Sequence, residues 1–270
     1  MRYRAYSPSY WSSVDRDPTP APNGETDAEL ALRLAVETGR RLVALRDEMF
    51  GSGAGSWEVM DTGDALGHAY IAEQLRALRP DDAVLDEEGA EDPRRFTADR
   101  VWIIDPLDGT REYGEPGRPD WAVHVALWGG SDFTAGAVSL PVLEAVFAAE
   151  PAPMLPPVER EQPRLVTSRY RAPYAAVIVA NALGCDAIRL GSAGAKAMAV
   201  VMGDADIYLH DGGMYQWDSA APAAVALAAG LHVSRIDGSP IVYNERDTWL
   251  PDVLICRPEL ADAVLAALWD

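Results

Sequence analysis

The segment that most constrains the fold is a run of four apolar residues, Val101 to Ile104, which ends at Asp105-Pro106. A short apolar run of this kind is typical of a buried strand. It delivers Asp105 and Asp108, three residues apart, around a turn that Pro106 restricts. Gly109 then permits close approach of the backbone. Thr110 adds a hydroxyl, and the amides that follow would open a helix whose N-terminus favours an anion.

Two interpretations of this motif stay open at this point. Mg²⁺ binds carboxylate and carbonyl oxygens together with substrate phosphate, and Asp105, Asp108 and the Leu107 carbonyl would supply such ligands. The alternative is an ordinary strand-to-turn connection, in which Asp is present for its turn chemistry. The Asp-x-x-Asp spacing by itself does not distinguish them.

Two other acidic segments are equally ambiguous when each is taken alone. Seven acidic residues and no basic residue lie between Asp81 and Asp92, which is most simply a solvated loop. Within that loop, however, Glu87 and Glu88 directly follow a short apolar strand that would hold them at a sheet end. Farther along, Asp218 opens a helix of small residues, which is the usual place of an N-cap residue.

The chain divides into four segments. Residues 1–25 are rich in Pro, Ser and Tyr and are predicted to be weakly structured. In residues 26–150, a capping box at Thr26 begins a helix up to Met49, a second helix is expected from Asp64 to Leu78, and several strands follow. Residues 151–163 contain five prolines and form the predicted linker. Residues 164–270 alternate strands and helices, with one helix expected over Tyr174 to Leu183. We therefore predict an α+β half followed by an α/β half.

Composition excludes several classes of function. The chain has 23 Lys+Arg against 42 Asp+Glu, a net charge of −19, which would repel nucleic acid polymers and anionic membranes. No signal peptide is expected from its N-terminal residues, and no membrane span is expected because no apolar run is long enough. The two cysteines, far apart, indicate a reducing cytoplasm. The four histidines lack zinc spacing, and each, including His124, is interpreted as structural.

Taken together, three motifs resemble the metal-dependent, lithium-sensitive phosphomonoesterases of the inositol monophosphatase superfamily. They are Leu85-Asp86-Glu87-Glu88, WIIDPLDGT at residues 102–110 and WDSAA at residues 217–221. DGTREY at residues 108–113 and the stretch from Gly191 to Gly213 are more similar to the CysQ-type 3'(2'),5'-bisphosphate nucleotidases of that superfamily, in particular those of actinobacteria. The resemblance covers residues 26–270 and implies a layered αβαβα sandwich.

The resemblance also implies roles for individual residues. Glu87, Asp105, Asp108, Asp218 and the Leu107 carbonyl would bind roughly two or three Mg²⁺ ions. Asp64 and Thr110 would orient and deprotonate the attacking water. Contacts with the substrate are expected from Gly109, Thr110, Ser168, Arg169, Arg171, Gly191, Ser192, Gly194 and Lys196. Three positions depart from the family pattern: Trp57-Glu58 lacks the Lys that is often found there, Asp86 stands where Ser or Gly is usual, and Arg171 stands where His is common.

The expected activity is Mg²⁺-dependent hydrolysis of the 3'-phosphate of adenosine 3',5'-bisphosphate, and of 3'-phosphoadenylyl sulfate as a further candidate. Alternatives within the superfamily are an inositol monophosphatase, a fructose-1,6-bisphosphatase or another sugar or nucleoside phosphatase. A different class is a regulator that binds metal or phosphate without catalysis. The partner is expected to be a small phosphorylated substrate, and a homodimer is the default expectation from relatives.

Overall fold

The first two helices are long and lie at the start of the described residues. The computed structural model describes residues 24–157 and 160–269, so nearly all of the predicted N-terminal tail lies outside the described residues. Helix α1, Asp27–Gly51, begins at the predicted capping box: the Thr26 hydroxyl accepts from the Glu29 amide, and the Glu29 carboxylate accepts from the Thr26 amide. Helix α2 follows over Ser56–Leu78.

The predicted start of α2 at Asp64 is wrong, because the helix begins eight residues earlier, at Ser56. Its N-cap residue is Gly55, which offers no side-chain capping bond that the sequence could have revealed. Gly63 and Gly67 also lower the intrinsic helix propensity of this segment. Both glycines instead serve packing: a Cβ on Gly63 would lie 2.5 Å from the Tyr113 ring, and one on Gly67 would lie 2.9 Å from Pro106.

The first sheet has five strands in sequence order. Its strands are β1 (Ala83–Asp86), β2 (Val101–Asp108), β3 (Ala122–Trp128), β4 (Phe133–Leu140) and β5 (Ala145–Ala148). β1 pairs with β2 in parallel, and the remaining pairs are antiparallel. A four-residue helix α3, Thr110–Tyr113, follows β2 directly. Short 3₁₀ segments lie at Pro93–Phe96, Pro141–Leu143 and Pro258–Leu260.

The second sheet also has five strands, in the order β10-β12-β8-β6-β7. They are β6 (Arg164–Ser168), β7 (Asp186–Leu190), β8 (Ile207–His210), β10 (His232–Ser234) and β12 (Val253–Cys256). β6 is parallel to β7 and β8, and the other pairs are antiparallel. A two-stranded ribbon joins β9 (Met214–Tyr215) to β11 (Trp249–Leu250). The sequence did not predict β9, β10 or β11.

The remaining helices complete five layers. They are α4 (Tyr174–Leu183), α5 (Ala193–Val201), α6 (Gln216–Ala228) and α7 (Ala261–Trp269). Helices α1 and α2 cover the outside of the first sheet, α5 and α6 lie between the sheets, and α4 packs on α7 beyond the second sheet. The predicted αβαβα sandwich is confirmed. None of the helices within the described ranges combines the length and apolar character needed to cross a membrane.

One hydrophobic cluster extends through the middle of the sandwich. It contains apolar residues of the first sheet such as Val138, of helices α5 and α6 such as Val200 and Val225, and of the second sheet such as Ile255. Along the chain, the segments 151–157 and 160–163 follow the last strand of the first sheet and precede β6, and they contain neither helix nor strand. Both cysteines, Cys185 and Cys256, are free thiols.

Candidate active site

Three carboxylates that lie far apart in the sequence converge in the interior. Asp105 and Asp108 come from the end of β2, and Asp218 comes from the first turn of α6. One carboxylate oxygen from each lies within 4.8 Å of the others. Asp105 is 1% exposed and Asp108 is 7% exposed. Buried carboxylates are rare unless they are paired or bind a cation, so the cluster requires a chemical reason.

A β-bulge places the first two carboxylates on the same side of the sheet. β2 does not end at Ile104, as the sequence analysis expected, but continues through Pro106 to Asp108. Asp105 pairs with His124 and Asp108 with Ala122, so three steps on β2 oppose two on β3. In a regular strand, residues three apart point to opposite faces. The one extra residue of the bulge reverses this alternation, and Pro106 is tolerated there because the ladder is already interrupted.

The carboxylates repel one another strongly. Burial raises the pKa of Asp105 well above its ordinary value, and the charges of Asp108 and Glu87 raise it further. Burial followed by repulsion from Asp108 raises the pKa of Asp218 to about 6. Glu87 is exposed as a residue, yet desolvation of its carboxyl group and repulsion from Asp218 and Asp108 raise its pKa to about 8. Glu87 therefore faces the same cluster from the end of β1.

Asp108 is the exception in this cluster. Burial alone would raise its pKa, but attraction to His124 and a hydrogen bond from Ser192 outweigh burial and hold the pKa at about 2. Oδ2 of Asp108 accepts the Gly194 amide at 2.7 Å and the Ser192 hydroxyl, and Oδ1 accepts the Ala193 amide at 3.2 Å. The N-terminus of α5 is thus directed at this carboxylate, which is the charge that a helix N-terminus favours.

His124 belongs to the cluster, although the sequence analysis interpreted it only as a structural residue of the sheet. Its ring is fully buried. Nε2 lies 3.2 Å from Oδ2 of Asp108, Nδ1 lies 3.9 Å from Oδ2 of Asp105, and Nδ1 donates to the Trp217 carbonyl at 3.3 Å. The position of His124 directly across from Asp105 in the β2–β3 register is a signal that could have identified it once the pairing was known.

Asp64 and Thr110 meet at the edge of the cluster. The Thr110 hydroxyl lies 3.4 Å from Oδ1 of Asp64 and 3.2 Å from the Leu107 carbonyl, so it can donate to either. Burial and repulsion from Glu88 raise the pKa of Asp64 to about 7, even though the Thr110 hydrogen bond lowers it. A carboxyl group with a pKa near neutrality is suited to accept a proton.

Gly109 is required by both its conformation and its surroundings. Its φ of 88° lies in the left-handed region. A Cβ at this position would lie 3.0 Å from the Ser192 Cβ and 3.3 Å from Trp121. The turn between β2 and α3 can therefore approach α5 closely only with glycine.

Three of the other predicted substrate contacts are already engaged within the protein. Arg169 forms an ion pair with Glu115 at 2.7 Å and lies 3.3 Å from Glu112. Lys196 is 5% exposed and donates to the Gly191 carbonyl. The Gly191 amide in turn donates to Asp120 at 2.7 Å. The remaining predicted contacts lie nearby in sequence: Ser168 is the last residue of β6, and Arg171 is exposed.

The arrangement fits a hard cation. Oδ2 of Asp105 is buried, and no hydrogen-bond donor within residues 24–157 and 160–269 reaches it. Carboxylate oxygens of Asp108 and Asp218 lie close to that of Asp105, and burial together with mutual repulsion raises the pKa of Asp105, Asp218 and Glu87. Carboxylate and carbonyl oxygens are the donors that Mg²⁺ prefers.

Comparison with known proteins gives consistent results. The family model described as "Inositol monophosphatase family" matches residues 46–270. The 3'-phosphoadenosine 5'-phosphate phosphatase of Mycobacterium leprae is 44% identical over 260 residues, 90% of this chain and 93% of that protein. The 3'(2'),5'-bisphosphate nucleotidase CysQ of Escherichia coli is 30% identical, over 69% of this chain and 80% of that protein. The solved structure of Mycobacterium tuberculosis SuhB superposes with a TM-score of 0.69 at 26% identity, over 89% of this chain and 94% of that one.

Proposed function

The chain belongs to the inositol monophosphatase family, and we propose that it hydrolyses the 3'-phosphate of adenosine 3',5'-bisphosphate to give AMP and phosphate. It is a hydrolase of phosphoric monoesters. The choice of substrate is supported by the M. leprae relative, whose name states this activity and which aligns with nine-tenths of the chain. We include 3'-phosphoadenylyl sulfate in the proposal because it carries the same 3'-phosphate.

The observation that carries the chemistry is the convergence of Asp105, Asp108 and Asp218 beside the Asp64–Thr110 pair. These three aspartates, Glu87 and the Leu107 carbonyl would hold Mg²⁺. When bound, Mg²⁺ would neutralise charge on the phosphoryl group and so offset the repulsion between a phosphate dianion and its nucleophile. Bound cations would also offset the negative charge at the site. An anionic substrate could therefore bind although the protein has a net charge of −19.

Asp64 and Thr110 are the groups suited to handle the proton of the attacking water. The reaction breaks the bond between phosphorus and the 3' oxygen and forms a bond from phosphorus to the water oxygen. One proton of the attacking water must leave, and the released 3' oxygen takes up one proton from solvent water. Thr110 can donate to Asp64, which leaves the lone pairs of its hydroxyl oxygen free to accept from water. In this arrangement the proton passes to the Asp64 carboxylate.

The protein contributes no covalent nucleophile in this proposal. Ser192, the nearest serine hydroxyl to Asp108, donates to that carboxylate and caps α5 through the Ala195 amide at 2.9 Å. It is therefore committed to the structure. The chain supplies placement and electrostatic stabilisation instead, which are the main sources of rate enhancement in phosphoryl transfer.

A panel of substrates tests this proposal. Phosphate release is measured with Mg²⁺ for adenosine 3',5'-bisphosphate, 5'-AMP, inositol 1-phosphate and fructose 1,6-bisphosphate. We expect the highest kcat/KM for the adenosine bisphosphate and little release from 5'-AMP, which lacks the 3'-phosphate. A higher kcat/KM for inositol phosphate or fructose bisphosphate would overturn the substrate assignment. Phosphate release from no member of the panel would favour a regulator without catalysis.

The expected homodimer and cytoplasmic location stay predictions.

A further inference from the structure

The loop that carries Glu87 is poorly supported by packing. Glu87, Glu88 and Ala90 are exposed after the end of β1. A cavity of about 280 Å³ lies behind the loop, between it and helix α2, and its lining includes Asp86, Gly89 and His68. Few hydrophobic contacts are therefore available to hold this loop, and polar contacts within it gain importance.

Asp86 supplies two such contacts. Its side chain is 4% exposed. Oδ1 accepts the Glu88 amide at 3.0 Å, which closes a turn around Glu87. Oδ2 lies 2.5 Å from Nδ1 of His68. One carboxylate oxygen thus shapes the loop, while the other ties the loop to helix α2.

His68 connects this loop to the residue proposed to accept the proton. It lies on α2 four residues after Asp64, and residues four apart share one face of a helix. Gly89 allows the close approach, because a Cβ there would lie 3.1 Å from the Asp86 Cβ and 3.4 Å from Cε1 of His68. Helix α2 therefore carries Asp64 and, through His68 and Asp86, contacts the turn that contains Glu87.

We propose that the His68–Asp86 hydrogen bond is a clamp that aims Glu87 at the cluster of Asp105, Asp108 and Asp218. His68 and Asp86 are then positioning residues for the metal, and this inference rests on the Mg²⁺ site of the proposed function. Hydrogen-bonded partners behind metal ligands are worth about 10–100-fold in metal affinity, which sets the size of the expected effect.

The variants are chosen to remove or keep a single hydrogen bond. His68→Leu removes the donor, whereas His68→Asn retains a nitrogen near the place of Nδ1. Asp86→Ser loses the reach to His68 but can still accept the Glu88 amide. His232→Leu is the matched control, because His232 is also half-buried with a serine partner at 2.8 Å, on β10 of the second sheet.

Two readouts are measured on the full chain, neither of which depends on turnover. The first is the Kd of Mg²⁺, by titration calorimetry without substrate. The second is the hydrogen exchange of residues 84–90 in EDTA.

We expect His68→Leu and Asp86→Ser each to weaken Mg²⁺ binding by about 10-fold or more. In His68→Leu the Glu88 amide should also exchange faster. His68→Asn should stay within about 3-fold of wild type, and His232→Leu should be unchanged. The double variant with His68→Leu and Asp86→Ser should bind Mg²⁺ no more weakly than the more impaired of the two single variants, because the two residues act as one unit.

Wild-type Mg²⁺ affinity in His68→Leu, or an unchanged Glu88 exchange rate, would overturn the clamp. A wild-type protein that binds no Mg²⁺ would instead refute the metal site of the proposed function. The exchange experiment in EDTA still decides the clamp in that case, since it needs no metal. Should His68→Leu fail to fold by circular dichroism, Asp86→Ser provides the same test.

Discussion

Replacing Asp64 with Asn should lower activity and raise stability at the same time. The carboxyl group is partly buried next to Glu88, and its pKa is raised from 3.8 to about 7, with burial as the main cause. Asn keeps the shape of the side chain and an oxygen that can accept from Thr110. It cannot carry a charge or accept the proton of the attacking water. The substitution therefore separates the electrostatic cost of Asp64 from its proposed catalytic role.

The magnitude follows from the difference in pKa between the folded and unfolded chain. The folded carboxyl group holds its proton up to about pH 7, whereas the unfolded one releases it near pH 3.8. The wild type therefore loses stability as the pH rises through this window, and Asn does not. A shift of about 3 pH units corresponds to about 4 kcal/mol at most. Because the group is partly exposed to solvent, screening reduces this, and we expect a gain of about 1–3 kcal/mol at pH 8.

Urea denaturation in EDTA at pH 8 and at pH 4 measures this gain, with kcat determined in Mg²⁺. Asp64→Asn should be more stable than wild type at pH 8, similar at pH 4, and slower in turnover by about 100-fold or more. Glu73→Gln, an exposed position on the same helix, is the control and should change neither quantity. A variant that is less stable at pH 8 with normal kcat would show that Asp64 only supports its helix, and would refute the reasoning.

Four further predictions concern the same site. Exhaustive chelation should abolish phosphate release and Mg²⁺ should restore it; full activity in EDTA would contradict the mechanism. Asp105→Asn should lower kcat by about 100-fold or more while circular dichroism shows an intact fold, and near-normal turnover would show that the ligand assignment is wrong. Gly109→Ala should lower the free energy of unfolding, measured by urea denaturation, by about 1–3 kcal/mol. The reason is that φ is 88° and the new Cβ would lie 3.0 Å from the Ser192 Cβ. Gly117→Ala, at φ 78° with no atom near the new Cβ, should lower the free energy of unfolding by less. An equal loss in both variants would show that the contact with Ser192 contributes nothing. Lys196→Met should lower kcat/KM for adenosine 3',5'-bisphosphate and 3'-AMP by similar factors, since Lys196 is buried; a selective loss on the bisphosphate would show that it reaches the second phosphate.

Much of the fold was predictable from local signals. The capping box at Thr26 predicted the start of α1, the apolar run at Val101 predicted the buried strand β2, and the range Tyr174–Leu183 was predicted for α4 as observed. These features depend on residues that are close in sequence. The start of α2 was missed because Gly55 caps it without a side chain, and β9 and β11 were missed because a two-residue strand is stabilised only by its distant partner.

The candidate site divides in the same way. The sequence by itself determined which acidic residues are present and that Asp105 and Asp108 come directly after a buried apolar run. Only the tertiary structure decided that a bulge turns both carboxylates to one side, that His124 lies beside Asp108, and that His68 reaches Asp86. The physical reason is that motif chemistry is written in neighbouring residues, whereas the direction of a side chain depends on strand register and helix packing between segments that are far apart in the chain.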